Sequence, residues 1–257
     1  MAENLTIPPN QPGRVADGSA SKFDSISFVI PAHNEANFIG PTLTALTETV
    51  EELNLDFEII VVADGCTDST VDIARDFECK VLEVNHRNIG AVRNAGARSA
   101  VNDWLFFLDA DTQVPTETLR SALQFLADGG AGGGARVAMH VPEPLPWIKW
   151  CMYYAVSTFW QTLGGWAAGC FMFCRRKDFL GFGGFDEQYF VAEEYFFSQQ
   201  VKKLGRFKLV KEPVITSARK LYKYSTFELI RFILSGIFLS GGLKSKKGLD
   251  VLYQDER

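Results

Sequence analysis

Residues 104–111 read Trp-Leu-Phe-Phe-Leu-Asp-Ala-Asp: five consecutive apolar residues, three of them aromatic, broken at once by two carboxylates around an alanine. A run this short and this apolar has the length of a strand buried on both faces rather than of a core helix. Strands buried on both faces belong to sheets whose helical crossovers cover them above and below. Three runs of similar character precede it, at Ile26–Ile30, Glu58–Val62 and Cys79–Val84. Helical spacing fills the intervals, as at Val71, Ala74 and Phe77 after an Asp68 N-cap, and at Leu119, Ala122, Leu123 and Leu126 after Pro115. Strands alternating with helices predict an α/β fold, a Rossmann-like, mainly parallel sheet flanked by helices.

The whole chain of 257 residues is 47% hydrophobic and 22% charged, which is enough to bury a large core and excludes the disordered, collagen-like and coiled-coil classes. One catalytic-size domain is expected over residues 23–220. Residues 1–22, rich in Pro, Gly, Ser and Asn, read as a disordered leader; residues 221–257 read as an apolar helix over Thr226–Leu239 and a basic tail with Lys244, Lys246 and Lys247. With 26 basic against 31 acidic residues the net charge is −5, so the field that general nucleic-acid binding requires is absent. The five cysteines, 66, 79, 151, 170 and 174, lack paired CxxC spacing and read as reduced core thiols. The N-terminus carries no apolar signal-peptide region, and no run reaches the roughly 18 consecutive apolar residues of a spanning helix. A cytoplasmic protein is expected. The Thr226–Leu239 helix and the lysines beyond it fit either a peripheral contact with an anionic membrane or burial against the domain.

In open α/β sheets ligands bind beyond the carboxyl ends of the strands. Here those ends are polar: Pro31-Ala32-His33-Asn34-Glu35 after the first run, Ala63-Asp64-Gly65-Cys66-Thr67-Asp68 after the second, and Asp109-Ala110-Asp111 after the fourth. Carboxylates at i and i+2 past a buried strand can both turn toward one hard cation, Mg²⁺ or Mn²⁺, that bridges to substrate phosphates; the alternative is that Asp111 or Thr112 caps the following helix. Asp64 is placed to accept from a nucleobase N–H or a ribose hydroxyl. Glu35 is placed for similar work, or as a first-turn acid favourable to a helix dipole. Asn88-Ile89-Gly90-Ala91-Val92-Arg93-Asn94-Ala95-Gly96 opens a helix that offers either an anion site, with Arg93 against a diphosphate, or close packing through Gly90 and Gly96. Glu193 and Glu194 begin a helix running to about Leu204, as simple helix formers or as a general base. The histidines, 33, 86 and 140, have no zinc-protease spacing, and neither a P-loop lysine nor a Gly-x-Ser-x-Gly elbow is present.

In order, these pieces resemble the family 2 glycosyltransferases, inverting enzymes of the GT-A fold that use nucleotide-sugar donors; the resemblance runs from about Ile26 to about Arg219. FVIPAHNEANFI (28–39) is similar to the family's first strand and donor turn, VVADGCTDST (61–70) to its Asp-Asp-Gly-Ser-Thr-Asp segment, NIGAVRNAG (88–96) to its Arg-Asn element, Asp109–Asp111 to its DXD motif, and GGFDE (183–187) with AEEYFFS (192–198) to its acceptor-side turn and acidic pair. The resemblance implies Pro31, Glu35, Asp64, Arg93, Asp109 and Ala110 as nucleotide-sugar contacts, Asp109 and Asp111 as ligands of Mn²⁺ or Mg²⁺, and Glu194 as the base, with Glu193 the second candidate. It also implies a glycan, lipid or small-molecule acceptor. The chain departs from the family at Ala63, in place of the first Asp of a pair, at Glu194, in place of an Asp, and at Phe196, in place of a frequent acidic residue. No Gln-x-x-Arg-Trp follows, so non-processive transfer is expected. The aromatic stretch containing Trp147, Trp150, Tyr153, Tyr154, Phe159, Trp160 and Trp166 fits an acceptor pocket or core. Arg219 and Lys220 read as a solvated basic face, the alternative being charge compensation for the leaving group. Two other functions stay open: nucleotidyl transfer, and a nucleotide-sugar-binding protein impaired in catalysis.

Overall fold

The computed structural model describes residues 25–159, 165–189, 193–223 and 225–226. The expected leader, and the apolar helix and basic tail beyond Thr226, lie outside the described residues. In chain order the elements are β1 (Ile26–Ala32), α1 (Ile39–Glu52), β2 (Phe57–Asp64), α2 (Thr70–Asp76), β3 (Lys80–Val84), α3 (Ile89–Ser99), β4 (Trp104–Leu108), β5 (Thr112–Gln113), α4 (Thr116–Ala127), β6 (Gly132–His140), α5 (Trp147–Phe159), β7 (Phe171–Arg175), α6 (Arg176–Gly181), α7 (Glu193–Leu204), β8 (Phe207–Ser217) and α8 (Arg219–Lys223). All four strands expected from the apolar runs form.

The strands make one sheet in the order β3-β2-β1-β4-β7-β6-β8-β5. The half from β3 to β4 is parallel, whereas β7 runs antiparallel to both β4 and β6, and β5 antiparallel to β8. Because β6 and β8 also pair in parallel, the sheet is mainly parallel, as expected, with antiparallel pairings confined to β7 and β5. What hid the second half from sequence reading is local: β6 opens with Gly132-Gly133-Gly134, which reads as a loop. Glycine is required there, because a Cβ at Gly133 would stand 1.9 Å from the Lys208 carbonyl oxygen of β8.

Side chains alternate across the sheet as a period of two demands. Ile26, Phe28, Ile30, Phe106, Leu108, Phe171 and Phe173 point to the face covered by α1 and α4, while Val29, Ile60, Val62, Leu105, Phe107 and Met172 point to the face covered by α3, α6 and α7. Phe107 sits among Phe179, Phe185 and Phe197 at ring separations of 5.0, 5.2 and 6.3 Å. Each such fully buried phenylalanine contributes roughly 1.5–3 kcal/mol, so the high phenylalanine content is spread over both layers.

The order places β1 at a topological switch: β2 and β3 lie on one side of it, β4 on the other. The crevice beyond the carboxyl ends of β1 and β4 is where such sheets take ligands. Two threonines of α1 tie that helix to the chain beyond β4, Thr42 Oγ1 donating to the Ala110 carbonyl at 2.8 Å and Thr49 Oγ1 to that of Val114 at 2.9 Å. Among the described residues no helix is long and apolar enough to cross a membrane.

Candidate active site

Past β4 the chain turns tightly. The Asp109 N–H donates to the Cys170 carbonyl and that of Thr112 to the Asp109 carbonyl, while the Asp111 carbonyl accepts from the Ser217 N–H. Neither Asp111 nor Thr112 caps a helix: α4 begins after Pro115, and Thr112 belongs to β5. Asp109 Oδ1 lies 2.9 Å from Arg93 Nη2, and Asp111 Oδ2 lies 3.1 Å from Arg219 Nε. Both side chains are carboxylates, the oxygen donors that hard divalent ions take, and the chain carries them just past the end of β4. Among the described residues no group of three or more His, Cys, Asp or Glu surrounds a single ion position. An ion held there would complete its shell from phosphate and water, the habit of Mg²⁺ at phosphate sites.

Glu35 follows β1 and precedes α1 without belonging to its first turn; its carbonyl accepts the N–H groups of Phe38 and Ile39. Its carboxylate receives Arg219 Nη1 at 2.6 Å and Nη2 at 2.5 Å. Burial raises the Glu35 carboxyl above its ordinary value; Arg219 opposes the rise, and Asp111 and Asp109 add to it. Arg219 is thus not on a solvated basic face. Its guanidinium lies within the site, 4.7 Å from the centroid of the Phe38 ring. Nothing in the local sequence SARKLYKYS signalled this, because the partners are more than a hundred residues away. Pro31 and Ala32 are buried at the end of β1, beside Val62 and Ala63.

Asp64 ends β2, and its carboxylate accepts the backbone N–H of His86 at 2.6 Å and of Arg87 at 2.8 Å, which ties down the loop from β3 to α3. His33 bridges the two sides, Nδ1 lying 2.6 Å from the Asp64 carbonyl and Nε2 3.1 Å from Arg87 Nη1. Asp68 does not occupy the N-cap position of α2, which is Ser69. Its carboxylate instead accepts from the Thr70 and Ala36 N–H groups at 3.0 Å each, joining the β1 and β2 turns. Although burial opposes it, hydrogen bonds from Thr70 and Ala36 hold the Asp68 carboxyl below the ordinary range.

Helix α3 is capped by the Asn88 side chain, which accepts from the Ala91 N–H at 2.9 Å. Gly96 provides close packing, since a Cβ there would stand 2.3 Å from Val29 Cγ1. Arg93, read from sequence as a diphosphate contact, points inward and is 2% exposed. Its Nη1 donates to Glu193 Oε1 at 2.6 Å, and its Nη2 to Asp109 Oδ1 and the Gly169 carbonyl at 2.9 Å each. The next residue, Asn94, exchanges hydrogen bonds with the Phe185 backbone and donates to Glu187 Oε1, holding the GGFDE turn against α3. Sequence reading missed Asn94, although it stood inside a quoted motif.

Glu193 and Glu194 open α7, as expected. Glu193 is buried on Arg93, while Glu194 keeps partial exposure. Burial, and then the neighbouring Glu193 carboxylate, push the Glu194 carboxyl up to about 8. Phe196 packs against Tyr189 of the preceding turn with ring centroids 4.2 Å apart and planes tilted by 34°, and Trp166 meets Tyr195 edge-on at 5.7 Å. Trp147 and Tyr154 of α5 are 75% and 65% exposed, so they are not core; Trp160 and the Phe159 side chain lie outside the described residues. Of the cysteines expected as core thiols, Cys170 and Cys174 are buried, Cys66 and Cys79 half-buried and Cys151 exposed.

Over 112 residues the chain is 34% identical to the validoxylamine A glucosyltransferase of Streptomyces hygroscopicus subsp. jinggangensis, a match covering 41% of this chain and 26% of that protein. It is 24% identical to the glycosyltransferase GlyA of Streptococcus pneumoniae over 236 residues, covering 87% of this chain and 28% of that protein. The chain therefore spans about a quarter of the length of these relatives. Two solved structures share the fold. TarS 1-349 of S. aureus in complex with UDP-GlcNAc aligns with a TM-score of 0.58 at 18% identity, covering 89% of this chain and 70% of that one. The mannosyltransferase PcManGT of Pyrobaculum calidifontis, in complex with GDP-Man and Mn²⁺, aligns with a TM-score of 0.61 at 17% identity, covering 90% and 65%. The architecture is thus of the GT-A type met in these glycosyltransferases. The profile of glycosyl transferase family 2 matches residues 27–179, and the chain belongs to that family.

Proposed function

We propose that this chain transfers a sugar from a nucleoside-diphosphate sugar to an acceptor hydroxyl, with inversion at the anomeric carbon. The observation that carries the reading is the buried Arg93, which joins the carboxylate pair at the end of β4 to the acidic pair at the start of α7. In this reading Arg93 holds a donor site and a base at one spacing. Nucleotide sugars bound by the structural relatives, UDP-GlcNAc in one and GDP-Man with Mn²⁺ in the other, support a donor of this class.

In this account Asp64, Glu35, Pro31 and Ala110 line the donor crevice, and Asp109 and Asp111 hold Mn²⁺ or Mg²⁺. A cation there supplies stabilisation of the negative charge that develops on the departing diphosphate. Glu194 takes the acceptor proton as the acceptor oxygen bonds to the anomeric carbon; the bond from that carbon to the diphosphate breaks, and its electron pair leaves with the nucleoside diphosphate. Glu194 is favoured over Glu193 because Glu193 is engaged by Arg93, whereas Glu194 is reachable and has a proton affinity suited to exchange near neutral pH. Arg93 acts through its partners, as a positioning residue. Tyr195, which follows Glu194 in α7, and Trp166, which meets Tyr195 edge-on, offer aromatic surface to an acceptor sugar ring. The absence of Gln-x-x-Arg-Trp supports single-sugar transfer.

The test is product analysis of the full chain with Mn²⁺, nucleotide sugars and a panel of sugar acceptors. Release of a nucleoside diphosphate with formation of a glycoside is expected. No glycoside from nucleotide sugars, with pyrophosphate released instead when a nucleoside triphosphate and a sugar 1-phosphate are supplied, would replace this reading with nucleotidyl transfer.

A further inference from the structure

Two arginines meet the carboxylates of the site, and they are built differently. Arg93 is locked, its side chain 3% exposed between Glu193 and Asp109. Arg219 keeps 24% exposure and sits at the start of α8, a five-residue helix. Its two Nη atoms grip both oxygens of Glu35, at 2.6 and 2.5 Å, and its Nε stands 3.1 Å from Asp111 Oδ2. Backbone ties bring it there: the Ser217 N–H donates to the Asp111 carbonyl, and the Arg219 N–H donates to Ser217 Oγ at 3.2 Å. A monovalent cation of this chain therefore stands against one of the two carboxylates assigned to the divalent ion, and it also neutralises an acid of the donor turn.

We infer that Arg219 is an internal counter-cation that closes the Asp111 mount in the donor-free protein, and that a divalent ion enters together with a nucleoside diphosphate, which takes over the arginine fork. The inference rests on the assignment of Asp109 and Asp111 as the ion's ligands. The exchange is chemically matched. A planar guanidinium pairs as well with diphosphate oxygens as with a carboxylate, whereas Asp111 exchanges a charge-assisted hydrogen bond for direct coordination. Because both the ion and the diphosphate bias one two-state contact, each must strengthen the binding of the other by the same factor.

The experiment measures Mn²⁺ affinity of the full chain by electron paramagnetic resonance, with and without UDP, GDP, CDP and dTDP, for the unaltered protein and for Arg219→Gln, Arg219→Lys and Asp111→Asn. Without nucleotide, Arg219→Gln should bind Mn²⁺ more tightly than the unaltered protein, by a factor within the roughly 5- to 150-fold range of such couplings. Arg219→Lys, which keeps the charge without the fork, should fall between them. In the unaltered protein one of the diphosphates should tighten Mn²⁺ binding, and Arg219→Gln should reduce that gain. Equal or weaker nucleotide-free affinity in a folded Arg219→Gln, with Arg219→Lys unchanged as well, overturns the inference, as does the absence of any gain from all four diphosphates. Asp111→Asn separates the two levels: if it leaves Mn²⁺ binding intact, the ion's assignment fails and the inference with it. If it abolishes binding while the Arg219 variants bind as the unaltered protein does, only the inference fails.

Discussion

Replacing Glu194 by Gln should lower kcat by about 10²–10⁴-fold, the usual worth of a positioned general base, while the affinity for the nucleotide sugar stays within a factor of about two. The amide keeps the size of the carboxylate but cannot take the acceptor proton. The pH profile makes the prediction specific. Burial and Glu193 push this carboxyl up to about 8, so it is largely protonated at neutral pH and becomes a base as pH rises. Transfer should therefore increase with pH and level off above about 8, and the variant should lose that limb. Stability should run the other way. The folded state binds this proton more tightly than the unfolded state, in which the carboxyl has its ordinary value of 4.5. The stabilisation is fully present below that value and is lost as pH rises through the folded one. Full activity in the Gln variant would remove Glu194 from the mechanism.

Arg93→Met should be among the most damaging single substitutions in the protein. It leaves Glu193, which is 6% exposed, without its counter-charge, and removing one partner of a buried pair costs about 3–5 kcal/mol. For a chain of this size the melting temperature should fall on the order of 10 °C. Arg93→Lys keeps a charge but cannot reach Glu193, Asp109 and the Gly169 carbonyl at once, so it should recover only part of the loss. Adding Glu193→Gln to Arg93→Met should recover stability, since the unpaired charge is then gone. A melting temperature within about 1 °C of the unaltered protein in Arg93→Met would show that the arginine bridge holds nothing together.

The half of the fold from β1 to β4 was legible because its signals are local. Apolar runs such as Phe106-Phe107-Leu108 set strands, and the carboxylates that interrupt them fall at strand ends by the arithmetic of the backbone. The other half was hidden. Strand β6 begins in a glycine run, β7 is a five-residue run beyond the aromatic stretch, and β8 contains Pro213. Within the site, residue types and spacing picked out Asp64, Asp109, Asp111, Glu193 and Glu194, but not their partners. Arg93 pointing inward and Arg219 reaching Glu35 are long-range consequences of packing, separated by 100 and 184 residues from the groups they meet. No periodicity encodes such pairs.

The most direct test of the central claim, that Asp109 and Asp111 mount the ion that receives a nucleotide-sugar donor, is a thermal melt of the unaltered protein and of Asp111→Asn with UDP-, GDP-, CMP- and dTDP-sugars, with and without Mn²⁺. A donor at 100 times its dissociation constant stabilises the native state by about 2.7 kcal/mol. One class of donor should raise the melting temperature of the unaltered protein by roughly 5–10 °C, only with Mn²⁺ present, and should leave Asp111→Asn unmoved. An equal rise without the ion, an equal rise in Asp111→Asn, or no rise with any donor would contradict it.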